Sequence, residues 1–317
     1  MARHSYQFSL NRGRIFAALS TTLTHKKISM LSYRHAFHAG NHADVIKHLT
    51  LVLCCEHLCK KDKGFSYIDT HAGAGMYNLK SEAATKNNEH LEGIASLTNL
   101  PKLPKVFNSY VKLIEQAKKQ RSNSYPGSPW FASQLLRPQD QAALFEMHPK
   151  DYKLLTSLFS GNRQIKTKQS DGYQSLKTLF PPPSRRAITL IDPPYEQEKE
   201  YQAVIQTLKD GISRFNPGTY IIWYPLINRA NSTKDKAAEK MLKQIKNVFN
   251  QEQLHVQYIL DKNMKGMYGS GLAIINPPWG LKEQLQEALT FLCSIGETRK
   301  CQFNIEAMDV NQANSKR

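Results

Sequence analysis

Apolar positions after Asn41 recur at helical spacing. Val45, Ile46, Leu49, Val52 and Leu53 share one face and predict a helix from about His42 to Lys60. Asn41 follows Gly40 and is placed to cap it, while the basic run Lys60, Lys61, Lys63 and then Gly64 closes it. The period then shortens. Phe65–Ile68, Ala142–Met147, Arg163–Lys168, Ala187–Ile191, Thr219–Leu226, Leu254–Leu260 and Gly271–Ile275 are short apolar runs that predict strands. Between them lie helical patterns over about 104 to 120, from the Tyr125–Pro129 turn through Leu136, over 197–213, and over Lys234–Phe249. Strands alternating with helices predict an α/β protein around a largely parallel sheet. The polar, lysine-rich stretch 80–127 reads as an insert between the first two core strands. There is no internal repeat, and residues 297–317, with no pattern, are expected to be loose.

One strand ends unusually. Ala187–Ile191 runs into Asp192-Pro193-Pro194-Tyr195. Proline cannot donate to a sheet ladder, so the strand stops and its carboxyl end opens into a loop. In open α/β sheets ligands bind there. The tip offers the Asp192 carboxylate, the Pro193 carbonyl and the Tyr195 ring. Two acceptors suit the two hydrogens of an exocyclic amine on a planar base, and an aromatic face suits a base pulled from its stack. Acceptors on both hydrogens favour a tetrahedral nitrogen with a localised lone pair, ready to attack a methyl cation equivalent. Such a short motif is a hypothesis until its context agrees.

The context begins at the first strand, which feeds Asp69-Thr70-His71-Ala72-Gly73-Ala74-Gly75. Two glycines let backbone approach a ligand. The spacing is not a dinucleotide fingerprint, and the short Gly-Ala-Gly form is more typical of S-adenosylmethionine sites than of NAD sites. Glu146, near the end of the second strand, is placed to hold ribose hydroxyls, and Asp171 at the next tip to accept from an adenine amine. A second proline-stopped tip, Asn276-Pro277-Pro278-Trp279, follows the last predicted strand rather than a middle one and reads as a strand terminator.

Charge narrows the partner. The 317 residues carry a formal charge of +17 with 40% hydrophobic residues, which points to a polyanion, nucleic acid before an anionic membrane surface. No apolar run approaches the roughly 20 residues of a spanning helix. Cys54, Cys55, Cys59, Cys293 and Cys301 form no paired framework, which suits a reducing compartment. His35, His38, His42 and His48 lack neighbouring thiolates, so hydrogen bonding and stacking are expected of them before metal binding. Residues 1–29, with Arg3, Arg12, Arg14, Lys26 and Lys27 and no acid, read as a start placed ahead of Met30 or as a transit-type extension.

Met30–Gly75, Tyr125–Pro129, Glu146–Pro149, Asp171–Gly172, Asp192–Tyr195 and Gly266–Trp279 together resemble the bacterial ribosomal large subunit RNA methyltransferase J family. The likeness covers roughly residues 30–280. It implies a Rossmann-like class I S-adenosylmethionine-dependent methyltransferase with a small helical insertion (about 80–125) in a domain of about 30–285, followed by a 286–317 tail. It implies methylation of N6 of one adenine in 23S ribosomal RNA, before full subunit assembly, by a cytoplasmic monomer with no membrane attachment. It places cofactor contacts at His48, His71, Ser128, Glu146, Asp171, Gly172 and Asp192, makes Asp192 the catalytic residue, and brings Tyr33 and Lys47 to the RNA beside Pro193 and Tyr195.

Overall fold

The computed structural model describes residues 35–228, 233–295 and 300–309. Residues 1–29 and the expected RNA contact Tyr33 lie outside them. Within the unit that begins at His35, helix α1 (His42–Cys59) sets the frame. The Asn41 side chain accepts from the amides of Ala43 and Asp44, satisfying two donors that a helix start leaves orphaned. Nearly every α1 residue up to Cys55 is buried, so the helix lies inside the molecule rather than on it.

β1 (Ser66–Asp69) follows, then β2 (Met76–Asn78), which pairs antiparallel with β3 (Ser124–Pro126). This ribbon closes the base of the insertion, whose longest helix is α2 (Asn108–Gln120). Tyr110, Leu113, Ile114 and Ala117 turn inward, while Lys112, Lys118 and Lys119 face water. The chain continues through α3 (Ser128–Leu135), β4 (Gln141–Phe145), α4 (Pro149–Leu158), β5 (Ile165–Lys168), β6 (Ala187–Ile191), α5 (Glu198–Arg214), β7 (Thr219–Asn228), α6 (Thr233–Val248), β8 (Gln253–Ile259), β9 (Gly266–Ile275), α7 (Leu281–Ser294) and β10 (Gln302–Met308).

Among the described residues the main sheet has the order β10-β8-β9-β7-β6-β1-β4-β5. β5, β4, β1, β6 and β7 are parallel neighbours. β9 enters antiparallel between β7 and β8, and β10 adds antiparallel to β8. Alternate strand residues serve two cores. β7 sends Ile221 to the one built around α1 and α7, and Tyr220, Ile222 and Tyr224 to the one built around α5 and α6.

The end of the chain differs from expectation. α7 runs across position 285 and buries Leu285, Ala288, Leu289 and Leu292, and β10 occupies part of the stretch expected to be loose. β10 is half-exposed along its length, so it carries no solid apolar run, only the faint alternation of Phe303, Ile305 and Ala307. The cysteine expectation is also corrected for one pair. The end of α7 and the start of β10 meet, and Cys293 is disulfide-bonded to Cys301 with Cα atoms 5.2 Å apart. Cys54, Cys55 and Cys59 are free and ride on α1. Among the described residues no helix is long and apolar enough to cross a membrane.

Candidate active site

Strand order reverses between β1 and β6: β4 and β5 lie beyond β1, and β7 beyond β6. The connections leaving the two strands diverge there, which opens a crevice at their carboxyl ends. β1 delivers Asp69, His71 and the glycine turn to it; β6 delivers Asp192.

Asp69 organises the β1 side. Its carboxylate accepts from Tyr67 Oη at 2.6 Å, Ser128 Oγ at 2.7 Å and the His71 amide at 3.2 Å. Burial pushes this carboxyl up to about 6, against the pull of those hydrogen bonds. Glu146 follows β4 and reaches the glycine turn, accepting from the Gly73 amide at 2.8 Å and the His148 amide at 2.6 Å. Burial pushes its carboxyl up to about 7, with Asp151 and Asp69 adding to the rise and the two amides opposing it. Gly73 sits at φ +60°, where a β-carbon would also fall 2.1 Å from Tyr77 Oη. His71 contacts Thr70 Oγ1 at 2.8 Å and packs edge-on against Tyr173, with ring centroids 4.7 Å apart. Burial lowers its pKa to about 3, so the imidazole is neutral. The Asp171 side chain accepts from the Tyr173 amide at 2.8 Å and starts the turn over Gly172–Gln174.

Gly172 presses on the end of β1, where an added β-carbon would stand 2.0 Å from the Thr70 carbonyl oxygen. Gly172→Ala must therefore push Asp171 and β1 apart, and overpacking of this kind costs about 1–3 kcal/mol. The expected result is at least about a tenfold loss of S-adenosylmethionine affinity with a modest fall in Tm, read by calorimetry and thermal melting.

The opposite wall comes from α1. Asp44, Lys47 and His48 occupy neighbouring positions on successive turns of α1, and Lys47 reaches Asp192 after β6 and the Trp223 ring on β7. Lys47 Nζ lies 2.6 Å from Asp192 Oδ2 and 2.9 Å from Asp44 Oδ1. Burial opposes a charged lysine, but the two carboxylates outweigh it and raise its pKa. Asp44 is fully buried and also takes His35 Nε2 at 2.9 Å and the Gly40 amide at 2.9 Å. Burial would raise its carboxyl; His35, Lys47 and His48 outweigh that and hold it well below the usual range. Among the described residues the second Asp192 oxygen has no hydrogen bond. No group of three or more His, Cys, Asp or Glu there is arranged to hold a metal.

Three expected contacts are rearranged. Tyr195 does not offer a stacking face: its backbone turns left-handed at φ +49°, the ring is 2% exposed, and it packs on Tyr201 at 4.4 Å. Its hydroxyl donates to the Trp223 carbonyl at 2.8 Å. His48 is closed to solvent, with Nδ1 2.8 Å from Tyr125 Oη, and burial lowers its pKa to about 3. Ser128 is committed to Asp69. The cluster instead contains residues that sequence reading did not select: Asp44 and Asp69, whose acid positions were visible, and Tyr173 and Trp223, which carried no signal. The Asn276 tip lies elsewhere, because β9 is antiparallel and ends beside the start of β7. The Asn276 side chain donates to the Asn216 and Gly218 carbonyls, and Trp279 is 89% exposed.

A five-stranded parallel core, an antiparallel strand slotted in after it, an acid-and-glycine turn after β1 and an acid after β4 define a class I methyltransferase. Among known families, the model described as "Ribosomal RNA large subunit methyltransferase D, RlmJ" matches residues 62–304. The chain belongs to this family of ribosomal RNA methyltransferases. Its relatives include ribosomal RNA large subunit methyltransferase J of Escherichia coli (strain K12), 43% identical over 266 residues, covering 84% of this chain and 94% of the relative. The protein of the same description from Haemophilus influenzae is 41% identical, covering 83% and 93%. The crystal structure of a Legionella pneumophila protein matches with a TM-score of 0.77 and 34% identity, covering 85% of this chain and 98% of that one.

Proposed function

We propose that this chain transfers a methyl group from S-adenosylmethionine to N6 of an adenine in 23S ribosomal RNA, in the cytoplasm and before the subunit is fully assembled. One observation carries the adenine-amine reading: Asp192 stands at the switch point, close enough to Asp69 to interact with it electrostatically, with one oxygen anchored by Lys47 at 2.6 Å and Pro193 next to it in the chain. The family relation supplies the ribosomal RNA.

The residues fit the cofactor. Glu146 is pinned by two backbone amides and keeps lone pairs for ribose hydroxyls. Asp171 and Gly172 form a close-packed lip against β1 where a base edge can be read, and neutral His71 adds no charge to repel a sulfonium. When bound, S-adenosylmethionine supplies an electrophilic methyl group, the carbon–sulfur electron pair leaving with sulfur. Asp192 and Pro193 accept the amine hydrogens and aim the nitrogen lone pair. Asp192 then draws off the extra proton as the new nitrogen–carbon bond forms, and that proton passes to water. Lys47 holds the carboxylate in place. The acceleration comes from positioning and from acceptors preset for charge that develops on nitrogen.

Cofactor binding has a defined pH dependence. The carboxylate of Glu146 is the form that accepts two hydroxyls, and in the free protein it exists above about pH 7. Affinity for S-adenosylmethionine is therefore flat above pH 7 and weakens about tenfold per unit below it. Calorimetry from pH 5.5 to 8 reads this directly, and Glu146→Gln removes the slope.

The deciding experiment supplies methyl-labelled S-adenosylmethionine and 23S ribosomal RNA from cells lacking the enzyme, followed by digestion to nucleosides. Label in N6-methyladenosine is expected, with naked RNA a better acceptor than assembled large subunits and duplex DNA inert. Label in another nucleoside, or none, overturns the assignment.

A further inference from the structure

We propose that the turn between β8 and β9, Asp261–Lys265, is the wedge that enters the RNA stack when the target adenine is drawn out, with Met264 filling the gap and Lys262 and Lys265 gripping the flanking phosphates. The proposal rests on the adenine-N6 reading above and adds the element that opens the substrate.

Strand direction puts this turn at the crevice end of the sheet. β6 and β7 run parallel with Ile191 paired to Ile222, so Asp192 and Trp223 are level. β6 stops there, but β7 continues to Asn228, five residues past Trp223. β9 stays paired with it over that length, Gly266 lying opposite Asn228. At about 3.3 Å per residue, the extension stands roughly 16 Å beyond the level of Asp192. β8 runs toward the same end on the other side of β9, and the turn joining the two is at the tip.

The tip has a fixed shape. The Asp261 carboxylate accepts from the Asn263 amide at 2.9 Å, the Met264 amide donates to the Asp261 carbonyl at 3.0 Å, and the Asn228 side chain donates to the Lys262 carbonyl at 3.1 Å. A turn already held in this way loses little freedom on binding. Lys262, Asn263, Met264 and Lys265 are exposed, Met264 at 38%. An apolar side chain thus stands in water between two cations, while the acid of the turn is folded back onto its own loop.

The chemistry names the partner. An adenine stacked in a helix is out of reach of a carboxylate at a strand end, so it must leave the stack, and that costs a few kcal/mol unless the base is already unpaired. Proteins that part a stack insert an apolar side chain at the step, methionine among them, and lysines beside it neutralise phosphates. The stand-off of the tip lets the helix rest against it while one base reaches down to Asp192.

Pairing of the target is therefore the variable that tests the wedge. One RNA hairpin carries the target adenosine paired in its stem; a second has an abasic site opposite, which leaves the same adenosine unpaired. Met264→Ala should lower kcat/KM about tenfold on the paired hairpin and less than about twofold on the unpaired one, with S-adenosylmethionine affinity unchanged. Met264→Leu, still apolar, should keep most of the activity. With 2-aminopurine at the target position of the paired hairpin, the fluorescence rise on binding should be smaller for Met264→Ala than for wild type. Lys262→Ala and Lys265→Ala should each weaken both hairpins alike and reduce the salt slope of binding by about one. Equal activity of Met264→Ala and wild type on the paired hairpin overturns the proposal. So does an equal loss on both hairpins, which marks a structural role or a contact with something other than the stack. Wild-type protein that methylates natural ribosomal RNA but never a paired adenosine also overturns it, since such a protein needs no wedge. Failure of the adenine-N6 reading looks different: natural ribosomal RNA then gains no methyl on adenosine N6 at all.

Discussion

Asp192→Ala lowers methyl transfer by about two to three orders of magnitude while S-adenosylmethionine affinity falls far less. The asymmetry follows from the layout. Asp192 hangs from β6 and is tied to α1 through Lys47, whereas the groups fitted to ribose and base edge, Glu146, Asp171 and Gly172, come from β4 and β5. Removing the carboxylate deletes an acceptor whose value grows as the amine nitrogen becomes positive, and leaves the other wall untouched. The fold should tolerate the change, because Lys47 keeps Asp44 at 2.9 Å. Asp192→Asn retains one oxygen and should retain more activity than alanine. Single-turnover rates alongside calorimetric affinities make the comparison, and near-normal turnover by the alanine variant would remove Asp192 from the mechanism.

Lys47→Met destabilises the protein by about 3 kcal/mol. Lys47 is buried between two carboxylates, and its loss leaves Asp44, itself fully buried, with one fewer cation. Removing one member of a buried ion pair costs about 3–5 kcal/mol, and the lower end is expected because Asp192 is partly open to water. For a chain of this size that is a fall in Tm of several degrees, at roughly 2–4 °C per kcal/mol. Lys47→Met with Asp44→Asn should recover part of the loss, since it removes the stranded charge with its partner. If Lys47→Met melts like wild type, the carboxylates have another source of compensation. Turnover measured on the folded variant then reports separately on how far Asp192 depends on its anchor.

Much of the frame was readable in the chain. α1 announced itself by apolar spacing and by Asn41, and both features act as expected because capping and burial are local properties of a helix. β6 was readable for the opposite reason: a solid apolar run stopped by two prolines leaves little choice of structure. The glycine turn, Glu146 and Asp171 fell at strand tips as the α/β pattern required. What could not be read was which way a loop side chain turns. Tyr195 looked like a stacking ring, but its left-handed backbone swings it into the core, a choice made by Tyr201 and Trp223, which come later in the chain. The pairing of Lys47 with Asp192 is equally invisible, because 145 residues separate two charges that only the folded sheet brings together. Trp223 looked like one more apolar residue of a strand.

β10 lies at the edge of the sheet, four strands from β6, and covers the outer side of β8. Until Gln302–Met308 docks, β8 presents a row of bare peptide groups along the rim of the sheet, flanked by apolar Leu254 and Val256. Open rims of this kind recruit strands from other chains. A newly made copy is thus most prone to clump in the interval before β10 emerges and docks, and a protein lacking β10 would remain in that condition permanently.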